Sequence, residues 1–133
     1  MTAATSDRNT PRREKGLLLV AIAAATTVHN GLIACVNAEG FAVEGSTATD
    51  LIYLGRFEET ITNAGAAGDV SVRIRTENAF QFENSATDPV TQANFGDVCF
   101  IEDNQTVAAT DGTGTRSKAG RVVGIDEQGV WVE

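Results

Sequence analysis

Residues 93–133 read ANFGDVCFIEDNQTVAATDGTGTRSKAGRVVGIDEQGVWVE, and this stretch decides the fold class. Four short apolar runs, at residues 98–101, 106–109, 120–125 and 129–132, are separated by Glu102-Asp103-Asn104-Gln105, Asp111-Gly112-Thr113-Gly114-Thr115 and Asp126-Glu127-Gln128-Gly129. Runs of this length rich in Val, Ile and Phe, bounded by Gly, Asp and Asn, are strand and hairpin signals. The run closes on Trp131, the only tryptophan of the chain, which has the largest apolar area to bury. Val98, Phe100, Val122, Ile125, Val130 and Trp131 are the core candidates here.

Working outward toward the N-terminus, the pattern stays β-like. Val70-Ser71-Val72-Arg73-Ile74-Arg75 alternates apolar and polar residues, the mark of a half-buried strand with two arginines on its wet face. Ala79-Phe80-Gln81-Phe82 repeats the alternation. Leu51-Ile52-Tyr53-Leu54-Gly55-Arg56-Phe57 reads as a strand with a bulge at its glycine, extended by residues 60–63, and residues 64–69 read as an exposed loop. Residues 17–43 are expected to form a compact meander. In it, Leu17-Leu18-Leu19-Val20-Ala21-Ile22-Ala23-Ala24-Ala25 is a strand buried on both faces, His29-Asn30-Gly31 a type I′ turn, residues 32–36 a second strand, and residues 37–40 a turn into Phe41. Asp88-Pro89 supplies an N-cap and first helical position for one short turn over residues 90–94, the only helix expected.

Composition sets the frame. A chain of 133 residues with 42% hydrophobic and 21% charged side chains suits one globular domain with its own core. Thirteen glycines and the many Thr and Val residues favour β structure. Residues 1–16 (MTAATSDRNTPRREKG) have no apolar period and are expected to be a flexible basic N-terminal arm without a core, with the β domain spanning residues 17–133. Arg8, Arg12, Arg13 and Lys15 against Asp7 and Glu14 give this arm a net charge of +2, which leaves −10 for the rest of a chain whose total is −8. An acidic body excludes a nucleic-acid groove, because phosphate contacts require clustered Lys and Arg.

Arg12-Arg13 ahead of an apolar run and an Ala-x-Ala pattern imitates a secretory signal, but the run is short and the expectation is that the chain is not exported. The run is also far below the ~20 apolar residues needed to span a membrane. Cys35 and Cys99 lie in apolar runs without CxxC spacing and read as free buried thiols of a reducing compartment rather than a disulfide.

Chemistry-bearing patterns are sparse. His29 is the only histidine and falls in an expected turn, a poor foundation for a nucleophile–base pair. One His and two separated Cys do not make a usual zinc set, and Glu102-Asp103-Asn104 lacks an EF-hand loop. Residues 111–118 (DGTGTRSK) carry glycines, hydroxyls and cations, yet have neither P-loop spacing nor a following helix to aim at an anion. No catalytic residue, metal site or cofactor is expected. A protein whose work is assembly needs arms or strand edges for a neighbour to grip. The residues offering these are Arg12, Arg13, Lys15, Leu17, Leu18, Leu19, Arg73 and Arg75.

Several segments together resemble a known family. They are Ala79-Phe80 followed by Asn84-Ser85, Asp88-Pro89-Val90-Thr91-Gln92-Ala93, Gly96-Asp97-Val98-Cys99-Phe100, Asp103-Asn104-Gln105-Thr106-Val107-Ala108, the 111–120 stretch, and Gly124-Ile125-Asp126 through Gly129-Val130-Trp131-Val132. Asn9-Thr10-Pro11-Arg12-Arg13 before a Leu-rich run, and Gly45-Ser46-Thr47-Ala48-Thr49 before Leu54-Gly55-Arg56, fit the same pattern. The chain is similar over most of its length to the capsid decoration, or cement, proteins of tailed bacteriophages. That resemblance implies a β-rich, often trimeric domain on the outer capsid surface of the virion, assembled in the host bacterial cytoplasm. It binds the major capsid protein and its own copies, with no nucleic acid, membrane or catalytic residue involved. The fold expected overall is all-β: a small barrel or sandwich of hairpins with one short helical turn and an extended N-terminal arm. The rival reading is a secreted β-domain adhesin or carbohydrate-binding module, suggested by the signal-like run and the hydroxyl-rich loops.

Overall fold

The computed structural model describes residues 2–133, and among them the fold is all-β. In chain order the strands are β1 (Leu17–Ala21), β2 (Thr26–Val28), β3 (Ile33–Val36), β4 (Ala42–Glu44), β5 (Ile52–Phe57) and β6 (Ile61–Asn63). They continue with β7 (Ser71–Arg75), β8 (Phe80–Asn84), β9 (Val98–Ile101), β10 (Thr106–Ala108), β11 (Lys118–Asp126) and β12 (Gly129–Val132). A five-stranded sheet runs β1-β7-β5-β3-β4, a closed barrel runs β10-β8-β12-β11-β9, and β2 pairs with β6. The barrel closes through a parallel β10–β8 contact; every other ladder between strands is antiparallel.

The C-terminal stretch forms the barrel wall, as its turn spacing indicates. β9 pairs with β10 and β11 with β12 as hairpins, while β9 also pairs with β11 and β12 with β8. The phase of the alternation differs from the expectation in two strands. In β12, Val130 and Val132 point inward and Trp131 is 39% exposed; in β9, Cys99 and Ile101 are buried, Val98 is 42% exposed and Phe100 half-buried. Side chains alternate with period two, so once the two valines of β12 take the interior the tryptophan must face out. Of the six core candidates only Val122 and Val130 are fully buried, and Ile125 packs against the core from a partly exposed position.

Two apolar cores lie on opposite sides of β3. Ile33 and Cys35 join Phe80, Phe82, Cys99, Ile101, Val107 and Val122 in the barrel core. Ala34, between them, joins Ile22, Val28, Phe57, Val72 and Ile74 in the second core. β3 therefore has buried side chains on both faces. The expected doubly buried strand at the start of the chain is instead β1, whose Leu17 and Leu19 face solvent. The expected 17–43 meander is likewise replaced by long-range pairing. β1 pairs with β7, β2 with β6, and only β3–β4 is a local hairpin. Its connection is held by Asn37, whose backbone N–H donates to the Phe41 carbonyl and whose Oδ1 accepts from the Glu39 and Phe41 amides. His29-Asn30-Gly31 turns the chain between two strands that do not pair with each other.

The bulge in β5 is present: Ala34 is opposite Gly55 and Cys35 opposite Tyr53, which leaves Leu54 as the extra residue. The short helical turn is a 3₁₀ turn over Gln92–Asn94, entered through Thr91 rather than Asp88; the Thr91 amide donates to Asn94 Oδ1 at 2.8 Å. Asp88 points elsewhere, as described next.

Candidate functional site

Residues 2–15 are exposed throughout and contain neither strand nor helix. The chain first engages the body at Lys15, whose Nζ lies 3.2 Å from Glu77 Oε1, and at Gly16, whose carbonyl accepts from the Thr76 amide at 2.9 Å. It then enters β1, which is the end strand of its sheet and pairs only with β7.

Register places the candidate residues on two different faces. Leu17 is opposite Arg75 and Leu19 opposite Arg73, while Leu18 is opposite the buried Ile74. Leu17 and Leu19, exposed by 42% and 72%, thus share the outer face with the two arginines, and Leu18 turns half-buried toward the inner face. Single exposed leucines are ordinary on a protein surface, but two on one face of an edge strand are less so, since edges are usually protected by charge or covering elements. Arg12 and Arg13 lie farther out on the arm.

Arg73 and Arg75 do not form a free basic patch. Arg73 donates from its backbone N–H and its Nε to Glu59 Oε2 at 3.0 and 3.1 Å. Arg75 Nε lies 3.5 Å from Glu58 Oε1, which also accepts from Arg56 Nη2 at 2.7 Å. The Arg56 hydrogen bond, followed by the charges of Arg56 and Arg75, holds the Glu58 carboxyl below its ordinary range, and the Arg73 side chain does the same for Glu59. These two glutamates carry no motif, and only the register of β5 against β7 makes them neighbours of the arginines. The outer face of the sheet is consequently a lattice of three arginines paired with two glutamates, edged by two leucines. Arg56 also stacks over the Phe80 ring, 4.8 Å from its centroid.

The other sequence candidates are accounted for by structure. His29 is paired through Nδ1 with Glu44 Oε2 at 2.8 Å, and Asn104 Nδ2 donates to the other oxygen of Glu44 at 3.3 Å. Cys35 and Cys99 are free and buried, and burial pushes both thiols up to about 12. Tyr53, the cross-strand partner of Cys35, carries a buried hydroxyl without a hydrogen-bond partner among the described residues. Among the described residues no three His, Cys, Asp or Glu side chains are grouped to hold a metal ion, and no helix is long and apolar enough to cross a membrane.

The 111–118 stretch turns Arg116 inward and leaves Lys118 exposed. Arg116 Nη1 donates to Asp88 Oδ2 at 2.9 Å and Nη2 to Glu102 Oε1 at 3.4 Å, with the arginine side chain 15% exposed. Thr110 Oγ1 donates to the same Asp88 oxygen at 2.6 Å, and Ser85 Oγ to Glu102 Oε1 at 2.6 Å. Two carboxylates so close to the guanidinium leave no vacancy for an outside anion. The Thr110 hydroxyl first, and then the Thr110 amide and Arg116, depress the Asp88 carboxyl below its ordinary 3.8. A depressed carboxyl contributes stability that is present above 3.8 and is lost as pH falls through the lower folded value. Arg116→Met is expected to destabilise the fold by about 2 kcal/mol at neutral pH. Urea unfolding should show that difference shrinking once the pH is well below 3.8, because Asp88 is then protonated in both proteins.

Comparison with family models, with curated proteins and with solved structures gives no match.

Proposed function

We propose that this chain is a decoration protein of a tailed-bacteriophage capsid, bound as a homotrimer to the outer surface of the virion, where it bridges subunits of the major capsid protein. The observation that supports this reading best is the continuity of an exposed basic arm with an end strand whose Leu17 and Leu19 face solvent. An edge of this kind accepts a partner strand through main-chain hydrogen bonds, with alternate side chains supplying specificity. Burying both leucines against a partner contributes up to about 3–6 kcal/mol at ~1.5–3 kcal/mol for a fully buried side chain. Arg12, Arg13 and Lys15 add attraction to an acidic capsid surface. Because the body carries −10 against the arm's +2, the arm is also repelled least by carboxylates of a neighbour.

Each contact is modest, and a trimer multiplies it. Three linked contacts on one shell raise avidity by about 10²–10⁴ over a single one. A ligand that binds only the assembled shell stabilises that shell by mass action.

The test is co-sedimentation with capsids lacking the decoration protein. The intact chain should saturate a fixed number of surface positions. Deletion of residues 2–15 and, separately, Leu19→Asp should each weaken binding at least ~10-fold, equivalent to about 1.4 kcal/mol. Unchanged occupancy by both variants would remove the arm and β1 from the binding surface.

A further inference from the structure

We propose that the open groove between β8, β10 and the β11–β12 turn is a saccharide-binding subsite that takes one ring of an uncharged glycan. The groove measures about 190 Å³; Gln81, Glu83, Gln105 and Gln128 are its polar lining, and Leu32 and Phe82 also border it. Three carboxamides and one carboxylate converge there from three separate pieces of chain, β8, the β9–β10 connection and the β11–β12 turn, with the Gly31–Leu32 segment bordering them.

Trp131 stands beside this groove. It is the cross-strand partner of Gln81 in the β12–β8 ladder, and both side chains face outward. Directly opposed residues on one face bring their Cβ atoms to about 4.5–5.5 Å, so the indole adjoins the amide. A single carboxylate holds both: Asp126 Oδ2 accepts from indole Nε1 at 3.2 Å, and Oδ1 accepts from Gln81 Nε2 at 2.9 Å. An ionised carboxylate can only accept, so the Gln81 amide nitrogen must face Asp126 and its carbonyl oxygen is left as an acceptor for a ligand. The backbone amides of Gln128 and Gly129 donate to Asp126 Oδ1 as well, at 2.8 and 3.2 Å. On its other side the indole lies across Gly124, where a Cβ would come within 3.0 Å of Cδ1. The aromatic ring is therefore fixed in advance at a position where 39% of the residue is exposed, and pre-organisation of this kind reduces the ordering penalty of binding.

The chemistry selects the ligand class. Carboxamide and carboxylate groups lining one groove pair with adjacent ring hydroxyls as donors and acceptors, and an indole beside them offers an apolar face to the C–H side of a pyranose. Phosphorylated or sulfated ligands are disfavoured, because the charged residue lining the groove is Glu83 and, among the described residues, no cation lines it. The volume is below the ~300–1,000 Å³ of enclosed ligand pockets, which fits a single ring at the surface and a Kd on the order of 1 mM. This proposal stands apart from the capsid reading. Were both correct, many copies on one shell would bind a glycan-coated surface by avidity.

Trp131 is the only tryptophan, so intrinsic fluorescence of the isolated protein reports this site alone. The experiment titrates the full chain with methyl glycosides of glucose, galactose, mannose and N-acetylglucosamine up to about 50 mM, with amide chemical shifts followed in parallel. The expected result is saturable quenching or enhancement with at least one sugar, and shift changes confined to residues 81–83, 105 and 126–131. Gln81→Ala and Gln105→Ala should each raise Kd about 10-fold, and Gln105→Ala should do so while leaving the urea midpoint unchanged, since its side chain is exposed. No saturable response to any of the sugars, shifts centred elsewhere, or equal binding by both glutamine variants would overturn the proposal. No capsid enters the assay, so its outcome is independent of the decoration reading.

Discussion

Gly129→Ala is expected to destabilise the protein by about 4 kcal/mol, from ~1–3 kcal/mol of backbone strain and a similar term for steric overlap. Gly129 has φ +151°, and a Cβ at this position would sit 2.1 Å from the Phe82 carbonyl oxygen. That carbonyl belongs to β8, which the β12 strand must approach for Val130 to lie opposite Phe82. The added methyl pries apart the β12–β8 ladder of the barrel wall. Gly40→Ala is the matched control, because it has φ +86° but nothing within 4 Å of the added atom. It should lose only about 1 kcal/mol, through backbone conformation alone. Equilibrium urea unfolding of both variants measures the difference, and equal losses would mean that the close approach of β8 is not a constraint.

The second large effect is expected at Asn63, which is fully buried. Its Nδ2 lies 3.2, 3.2 and 2.9 Å from the carbonyls of Ile22, Ala23 and Ala66, and its Oδ1 accepts from the Gly65 amide at 3.0 Å. One side chain thus satisfies the backbone where β2–β6 meets the end of β1. In Asn63→Ala the Ala23 carbonyl and the Gly65 amide lose this partner, whereas the Ile22 and Ala66 carbonyls keep the Gly68 and Asp69 amides, and the expected loss is about 2 kcal/mol. Asn63→Asp is the sharper probe. A carboxylate facing three carbonyl oxygens has no proton to give them, so this variant should be less stable than wild type at neutral pH and regain stability as pH falls and the carboxyl is protonated. An Asn63→Asp protein whose stability falls monotonically with pH, like the wild type, would contradict the assigned donor role.

The legible parts of the fold were those that a local pattern specifies. The VSVRIR alternation of residues 70–75 became β7 with Val72 and Ile74 inward, and the breakers of the C-terminal stretch became turns between β9, β10, β11 and β12. Alternation tells which residues share a face, but not which strand lies alongside. Nothing in the Leu-rich run near residue 17 names residues 71–75 as its partner, and proximity in sequence suggested a meander instead. The phase of a four-residue strand is also weakly specified: GVWV is consistent with Trp131 inside until the two flanking valines claim the interior. The candidate binding residues divide the same way. Leu17 and Leu19 stay exposed because they alternate against Leu18 and Val20, whereas the neutralisation of Arg73 and Arg75 by Glu59 and Glu58 depends on a tertiary register that no local pattern encodes. Gln81, Gln105 and Gln128 were passed over because isolated glutamines carry no spacing signal; only folding brings them to one groove.

The pairing of β1 with β7 has a consequence for how the chain is made. Residues 17–22 leave the ribosome well before the strand that pairs with them, which ends at Arg75. At a synthesis rate of ~5–20 residues per second, the apolar run waits roughly 3–10 s without its partner. Short β-forming apolar segments exposed for that long are prone to self-association, and natural sequences protect them with flanking charges. Arg12, Arg13, Glu14 and Lys15 stand immediately ahead of the run. A charged flank of this kind opposes self-association of an apolar strand that still waits for its partner.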